Sequence, residues 1–201
     1  PLIFVHPDLP GGRSTHALGS AVDLVPTVLA LAGVGEGTRR DMQPKLAGHD
    51  LSAAIVSTTA RTLRDKAGIL FNYAARYGWN APDAPAGVAE TKPLPENDLM
   101  LRRLHRGVHD GRYKFARYFA PAQHHIPRRW DDLVAHNDLE LYDTVTDPDE
   151  IDNLAWRPDA HKSLIERLNA KTTALIESEV GADMGAEYSG PGTQYDTLKL
   201  T

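Results

Sequence analysis

The chain contains no cysteine. A disulfide framework, a thiolate nucleophile and Cys-ligated zinc are therefore excluded within these residues. No apolar run approaches the roughly 18–20 residues that a bilayer-spanning helix needs. The longest apolar-rich stretch, residues 21–34, is interrupted by Asp23, Pro26, Thr27 and Gly33. No basic segment followed by an apolar one opens the chain, so it shows no signal peptide. Basic excess is also missing. A net charge of −5 and a pI near 6.0 argue against a nucleic-acid binder, which usually carries a basic face.

What is present is ordinary globular composition. Of 201 residues, 41% are apolar and 24% charged, and the length suits one domain or somewhat more. The chain opens on PLIFV, without Met and inside an apolar run. The expectation is a piece of a longer protein, with any signal peptide, nucleophile and metal ligands upstream. The compartment stays open.

Residues 2–5 are apolar and end at His6-Pro7, the pattern of a fully buried strand. Residues 7–12 hold two prolines and two glycines and predict a loop. Residues 23–33, DLVPTVLALAG, predict a helix capped by Asp23, with Pro26 in its first turn and Gly33 as its stop. It is apolar nearly all round, so it is expected to be buried. Residues 35–48 read as a surface loop and 51–56 as one or two helical turns. Residues 68–73 predict a strand. Pro82, Pro85, Pro93 and Pro95 make residues 77–95 a long irregular loop.

Residues 102–109 and 112–119 predict two strands joined by the turn signal Asp110-Gly111. Period two puts Tyr113, Phe115 and one of Arg117 or Phe119 on one face, with Lys114, Ala116 and Tyr118 on the other. Residues 120–136 read as a second irregular insert, 139–142 as a short strand, and 143–153 as an acidic turn region. Leu164, Ile165, Leu168, Thr172, Leu175 and Ile176 recur at helical spacing, between Pro158 at the start and Gly181 at the stop. The expected fold class is the end of an α/β layer over residues 1–60, then an α+β unit over 61–181 in which a small antiparallel sheet packs on a long helix, then a tail over 182–201.

Two adjacent stretches carry a family pattern. Residues 110–119, DGRYKFARYF, followed by residues 139–154, LELYDTVTDPDEIDNL, resemble the end of a sulfatase. Earlier blocks follow in family order: PLIFVHP at 1–7, DLVPTVLALAG at 23–33 and LAGHDLS at 46–52. The resemblance covers roughly residues 1–175. It implies the end of an alkaline-phosphatase-like α/β/α core followed by a small C-terminal subdomain. It implies hydrolysis of a sulfate ester by a formylglycine, beside a divalent cation (calcium or magnesium) held by acidic and Asn or His side chains. Positioning and electrostatics carry most of the barrier reduction in such charged-group transfers. By the same resemblance the nucleophile motif, the catalytic Lys and the metal ligands fall before Pro1. The nearest approach to the nucleophile motif, STTAR at 57–61, lacks its Pro and lies in the wrong part of the fold. No catalytic or metal residue is therefore expected in this chain. The expected partners are the N-terminal portion of the same protein and a small sulfated substrate, with homo-oligomers open. Phosphonate or phosphate ester hydrolysis and a stand-alone binding module remain alternatives.

One group of residues invites a substrate-facing reading. His124, His125, Arg128, Arg129 and Trp130 put cations and an aromatic ring in a long insert, which suits a sulfated or sugar-like ligand. The competing reading is a solvated basic loop. His105, His109 and His136 lack the i, i+4 spacing of a metal pair. His6 ends a run where α/β ligands often bind, though a structural role is favoured. Asp131-Asp132, read as neighbours on a strand, point to opposite faces. The acids between Asp143 and Asp152 miss the calcium-loop spacing and read as a turn. Arg112, Lys114 and Arg117 are expected to pair with them across the sheet.

Overall fold

The computed structural model describes residues 2–9, 11–42, 48–73, 102, 104–120 and 127–181. Its sheet follows the alternating pattern. Strands β1 (Ile69–Tyr73), β2 (Leu104–His109), β3 (Tyr113–Phe119) and β4 (Asn137–Asp143) pair antiparallel in the order of the chain. The register sets Leu70 opposite Val108, Val108 opposite Phe115, and Phe115 opposite Leu141. At the β2–β3 turn the Asp110 N–H donates to the Tyr113 carbonyl at 3.1 Å, and Gly111 takes φ +95°, a conformation side chains disfavour.

Helix α6 (Lys162–Glu179) covers one face of this sheet. A 3-10 turn at Pro158–His161 leads into it, and Gly181 (φ +99°) closes it with an N–H donated to the Ile176 carbonyl at 2.9 Å. Ile165, Leu168 and Leu175 join Val108, Phe115, Leu133, Leu141 and Ala155 in one buried cluster. The same stripe buries Asn169, Thr172 and Thr173. Arg117 lies on this helix-facing side with Phe115 and Phe119, so it does not reach the acids as expected. It bonds to Asn169 and, at 3.4 Å, to the Thr173 hydroxyl. Period two explains the outcome: of the three basic residues in the strand region, only Arg117 shares the parity of the core residues. Arg112 and Lys114 do pair as expected, with Asp143 at 2.7 Å and Glu150 at 2.6 Å.

The 139–154 run is a bonding device. Buried Asn153 accepts the N–H of Leu141 and of Ala155, each at 3.0 Å, and donates to the Leu139 carbonyl at 3.1 Å. It thus ties β4 to the 3-10 turn Leu154–Trp156. Asp147 accepts from the N–H groups of Ile151 (3.1 Å) and Asp152 (2.9 Å), which closes the intervening turn.

Before β1 the chain forms α1 (Leu24–Leu31), α2 (Glu36–Met42), α3 (Ser52–Val56) and α4 (Arg64–Ala67). Asp23 does not cap α1. Its carboxylate reaches back to the Ser20 N–H (2.8 Å) and across to the His49 N–H (2.8 Å) and the Arg64 guanidinium (2.8 Å). Asp23 and Arg64 are both 0% exposed, and Arg64 also bonds to Glu179 at the end of α6. One buried ion cluster therefore joins the α1 region to the sheet-and-helix unit.

Other expectations need correction. Residues 2–5 form no strand, because no described strand lies beside them; Val5 is 93% exposed. Helix α1 is buried on one side only, at Pro26 and Thr27, while Val28 is 56% exposed. Residues 36–42 are helical rather than loop, fastened where Arg39 donates to the Val34 carbonyl (2.7 Å) and pairs with Asp50 (3.0 Å). The insert at 120–136 ends in helix α5 (Trp130–His136), where Leu133 plugs the core and Asp131 and Asp132 favour the positive first turn. Those two acids are thus helical neighbours, not strand neighbours. The 77–95 loop and the 182–201 tail lie outside the described residues.

Candidate functional site

Three of the five residues singled out in the sequence come together at the start of α5. Arg128, Arg129 and Trp130 line a pocket of about 270 Å³ against α6, with Asn169, Thr173 and Glu177 on its other wall. Its floor is fixed where Asn169 donates to the Pro127 carbonyl at 2.6 Å. Arg128 pairs with Glu177 at 2.6 Å, and Arg129 lies 4.0 Å from Asp131. Trp130 is half-buried and packs against the core, with the Lys162 ammonium 5.1 Å over its ring. His124 and His125 lie outside the described residues.

His105, His136 and His6 stay apart from that pocket. His105 stacks near Tyr118, with ring centroids 5.1 Å apart, on the sheet face turned away from α6. Tyr118 donates to Glu140 at 3.1 Å; burial and the Glu140 charge push its phenol up to about 12. His136 ends α5. His6 sits in the extended lead beside Asp8 at 3.9 Å. Among the described residues no group of three or more His, Asp or Glu is arranged to hold a metal ion.

A larger cleft was not legible from the sequence. Where the segment before α1, the lead into α4 and the β2–β3 hairpin meet, about 760 Å³ lies between His16, Leu18, Arg61, Asp65, Lys66 and His109. Its walls are pinned by the backbone. Leu18 donates its N–H to Asp65 (3.1 Å) and accepts from the Thr62 hydroxyl (2.6 Å). Asp65 also takes the Thr62 N–H at 2.6 Å, and Thr62 accepts the Asp65 N–H at 3.3 Å, the reciprocal exchange of a capping box. Asp110 is committed in the same way, to the N–H groups of Tyr113 (2.8 Å) and Arg112 (3.2 Å) and to Arg167 (3.3 Å). Burial alone would raise both carboxyls. Those N–H donors, with nearby Arg61 at Asp65 and Lys171 and Arg167 at Asp110, outweigh it and hold both below the ordinary value. His109 is pushed down by burial, more than the Asp110 charge pulls it up. Its Nδ1 accepts the Gly111 N–H at 3.3 Å, which places the proton of the neutral ring on Nε2.

No family model and no curated protein matches this sequence. Solved structures do. A sulfatase labelled 4S-sulf, from work on a Bacteroides thetaiotaomicron locus for metabolism of multiple glycosaminoglycans, superposes with a TM-score of 0.58 at 23% identity, over 90% of this chain and 31% of that one. The protein yidJ from Bacteroides fragilis, assigned as a sulfatase, gives 0.52 at 15% identity, over 83% of this chain and 26% of its own. The chain thus spans about a third or less of the length of these structures. Its antiparallel four-stranded sheet with one long helix has the fold of a sulfatase C-terminal domain.

Proposed function

We propose that this chain is the C-terminal part of a sulfatase-like hydrolase, and that the whole protein cleaves sulfate esters. The observation that supports this most is the superposition on a sulfatase over 90% of the chain. The order of the sequence blocks agrees with it. In this reading the alkaline-phosphatase-like core, the formylglycine and the divalent cation belong to residues outside this sequence, and this chain alone does not turn over substrate. Its own work is to complete the core and to shape the approach to it.

The surface supports a partner of that kind. Leu2, Ile3, Val5, Val25 and Val28 are all exposed. Leu2 and Ile3 also line a groove of about 560 Å³ whose apolar side chains include Phe4, Leu9, Leu51, Ile55 and Ile69. Exposed apolar surface of that extent marks an interaction face in a well-behaved protein. The occupant in this reading is the N-terminal portion of the same protein.

The test is an assay of the full reading frame, and of this chain alone, with 4-nitrophenyl sulfate and 4-nitrophenyl phosphate. The expected result is cation-dependent release from the sulfate by the full protein and none by the chain alone. Preferential release from the phosphate would replace the sulfatase reading with a phosphoesterase. Turnover by the chain alone would overturn the placement of the catalytic residues.

A further inference from the structure

The 760 Å³ cleft between α4 and the β2–β3 hairpin has an electrostatic character that its lining residues do not show at first glance. Four cations stand at or just behind its walls: Arg61, Lys66, Arg167 and Lys171. Two carboxylates oppose them, Asp65 and Asp110, and both are spent. Their oxygens accept backbone N–H groups that hold the loops in place. A carboxylate bonded in this way presents little free acceptor capacity to a ligand.

The cations are not spent to the same degree. Arg61 is 75% exposed, and its one ion-pair contact among the described residues, to Asp65, is at 4.0 Å. Lys66 is exposed and has no ion-pair partner among the described residues. Exposed His16 adds a ring at the rim, whereas both nitrogens of His109 are engaged, Nδ1 by the Gly111 N–H (3.3 Å) and Nε2 by the Thr144 hydroxyl (3.5 Å). Among the described lining residues the one hydroxyl, of Thr62, is committed to the Leu18 carbonyl. Hydrogen-bonded walls, an excess of cations and the exposed side chains of Arg61 and Lys66 describe a binding site.

We propose that this cleft binds a sugar-sized ligand carrying a tetrahedral oxyanion ester, a sulfate or a phosphate, with Arg61 and Lys66 as its principal anchors. The cleft is open to solvent and has room along its wall for a mono- or disaccharide. The guanidinium of Arg61 matches two oxyanion oxygens side by side, and Lys66 supplies a mobile point charge. The site stands apart from the sulfatase reading. It needs no residue outside this chain, so the two can fail separately.

The experiment is saturation-transfer difference NMR on the 201-residue chain. The probes are glucose 6-sulfate and glucose 6-phosphate, with glucose as the neutral control, at ionic strength held constant with chloride. The expected result is saturable transfer to one or both anionic sugars and none to glucose. The better of the two identifies the headgroup. Arg61→Ala/Lys66→Ala is expected to weaken binding at least tenfold. Arg157→Ala, which removes an exposed cation paired with Asp152 and away from the cleft, is expected to leave it unchanged. Arg61, Lys66 and Arg157 are all exposed, and Lys66→Glu provides a second, charge-reversing variant. Transfer that does not saturate, equal transfer to glucose, undiminished binding in both cleft variants, or equal loss in Arg157→Ala would each overturn the proposal.

Discussion

Replacing Arg64 with Met removes the centre of the buried ion cluster while keeping an unbranched chain of similar length. In the native fold Arg64 reaches Asp23 through Nε (3.0 Å) and a terminal nitrogen (2.8 Å), and it reaches Glu179 through the other terminal nitrogen. Asp23 is fully buried, so in the variant its charge keeps the Ser20 and His49 N–H groups but loses its counterion. Glu179, 10% exposed, has some access to water and suffers less. Breaking one side of a buried pair costs about 3–5 kcal/mol. At about 2–4 °C per kcal/mol for a chain of this size, the midpoint falls by roughly 6–20 °C. Adding Asp23→Asn removes the stranded charge. The double variant is therefore expected to be less destabilised than the sum of the single ones, by about 0.5–3 kcal/mol.

Urea titration followed by circular dichroism measures the free energies, and a thermal scan of the same signal measures the midpoint. A loss under about 1 kcal/mol for Arg64→Met, or strict additivity in the cycle, would refute the reasoning. The pH dependence has a definite sign. Burial alone would raise the Asp23 carboxyl, but Arg64 and the N–H groups of His49 and Ser20 outweigh it and hold it below 3.8. A depressed carboxylate stabilises the fold above its unfolded value and loses that contribution as the pH falls through its folded one. Native protein should therefore keep this contribution down to about pH 4 and lose it below. In Arg64→Met the depressing guanidinium is gone, so acid unfolding is expected to begin at a higher pH.

Asn153→Ala leaves the N–H groups of Leu141 and Ala155 and the Leu139 carbonyl without their partner; the expected cost is about 2–4 kcal/mol, read as a lower urea midpoint. An alanine Cβ at Gly107 would clash with the Phe115 carbonyl oxygen, so Gly107→Ala is expected to destabilise by at least about 1–3 kcal/mol or to abolish soluble expression. This chain by itself is expected to self-associate through the exposed apolar face around α1, and Val25→Ser/Val28→Ser to lower the mass seen by light scattering; a monodisperse wild-type monomer would count against that face.

The sheet and α6 were legible because their signals are local and periodic. Phe115, Arg117 and Phe119 alternate with Lys114, Ala116 and Tyr118, and Asp110-Gly111 marks the turn between β2 and β3. The α6 stripe recurs at helical spacing with a glycine stop. Helix α2 escaped notice because Gly35 and Gly37 suggested a loop, whereas its fastening comes from Arg39 reaching Val34 and Asp50. Helix α5 was masked by the prolines around it, although Trp130, Leu133 and Val134 already have helical spacing. Residues 2–5 show the opposite error. An apolar run states a preference for burial and says nothing of which strand will lie beside it.

The same distinction separates family from function in this chain. Asn153 and Asp147 satisfy backbone groups within 14 residues of themselves, so their pattern survives as a readable string and identifies a scaffold. The candidate cleft is assembled from His16, Arg61, Lys66 and His109, which no fixed spacing relates and which only the fold brings to one place. The Asp23–Arg64–Glu179 cluster belongs to the second kind too, with bonds spanning 41 and 115 residues. It sets the α4 lead against the sheet unit and thereby holds the two walls of the cleft at their distance. Loosening it through Arg64→Met should therefore weaken ligand transfer in the cleft even where the fold persists. A variant that stays folded and binds the anionic sugar at full strength would show that the walls are positioned by the Leu18–Thr62–Asp65 bonds alone.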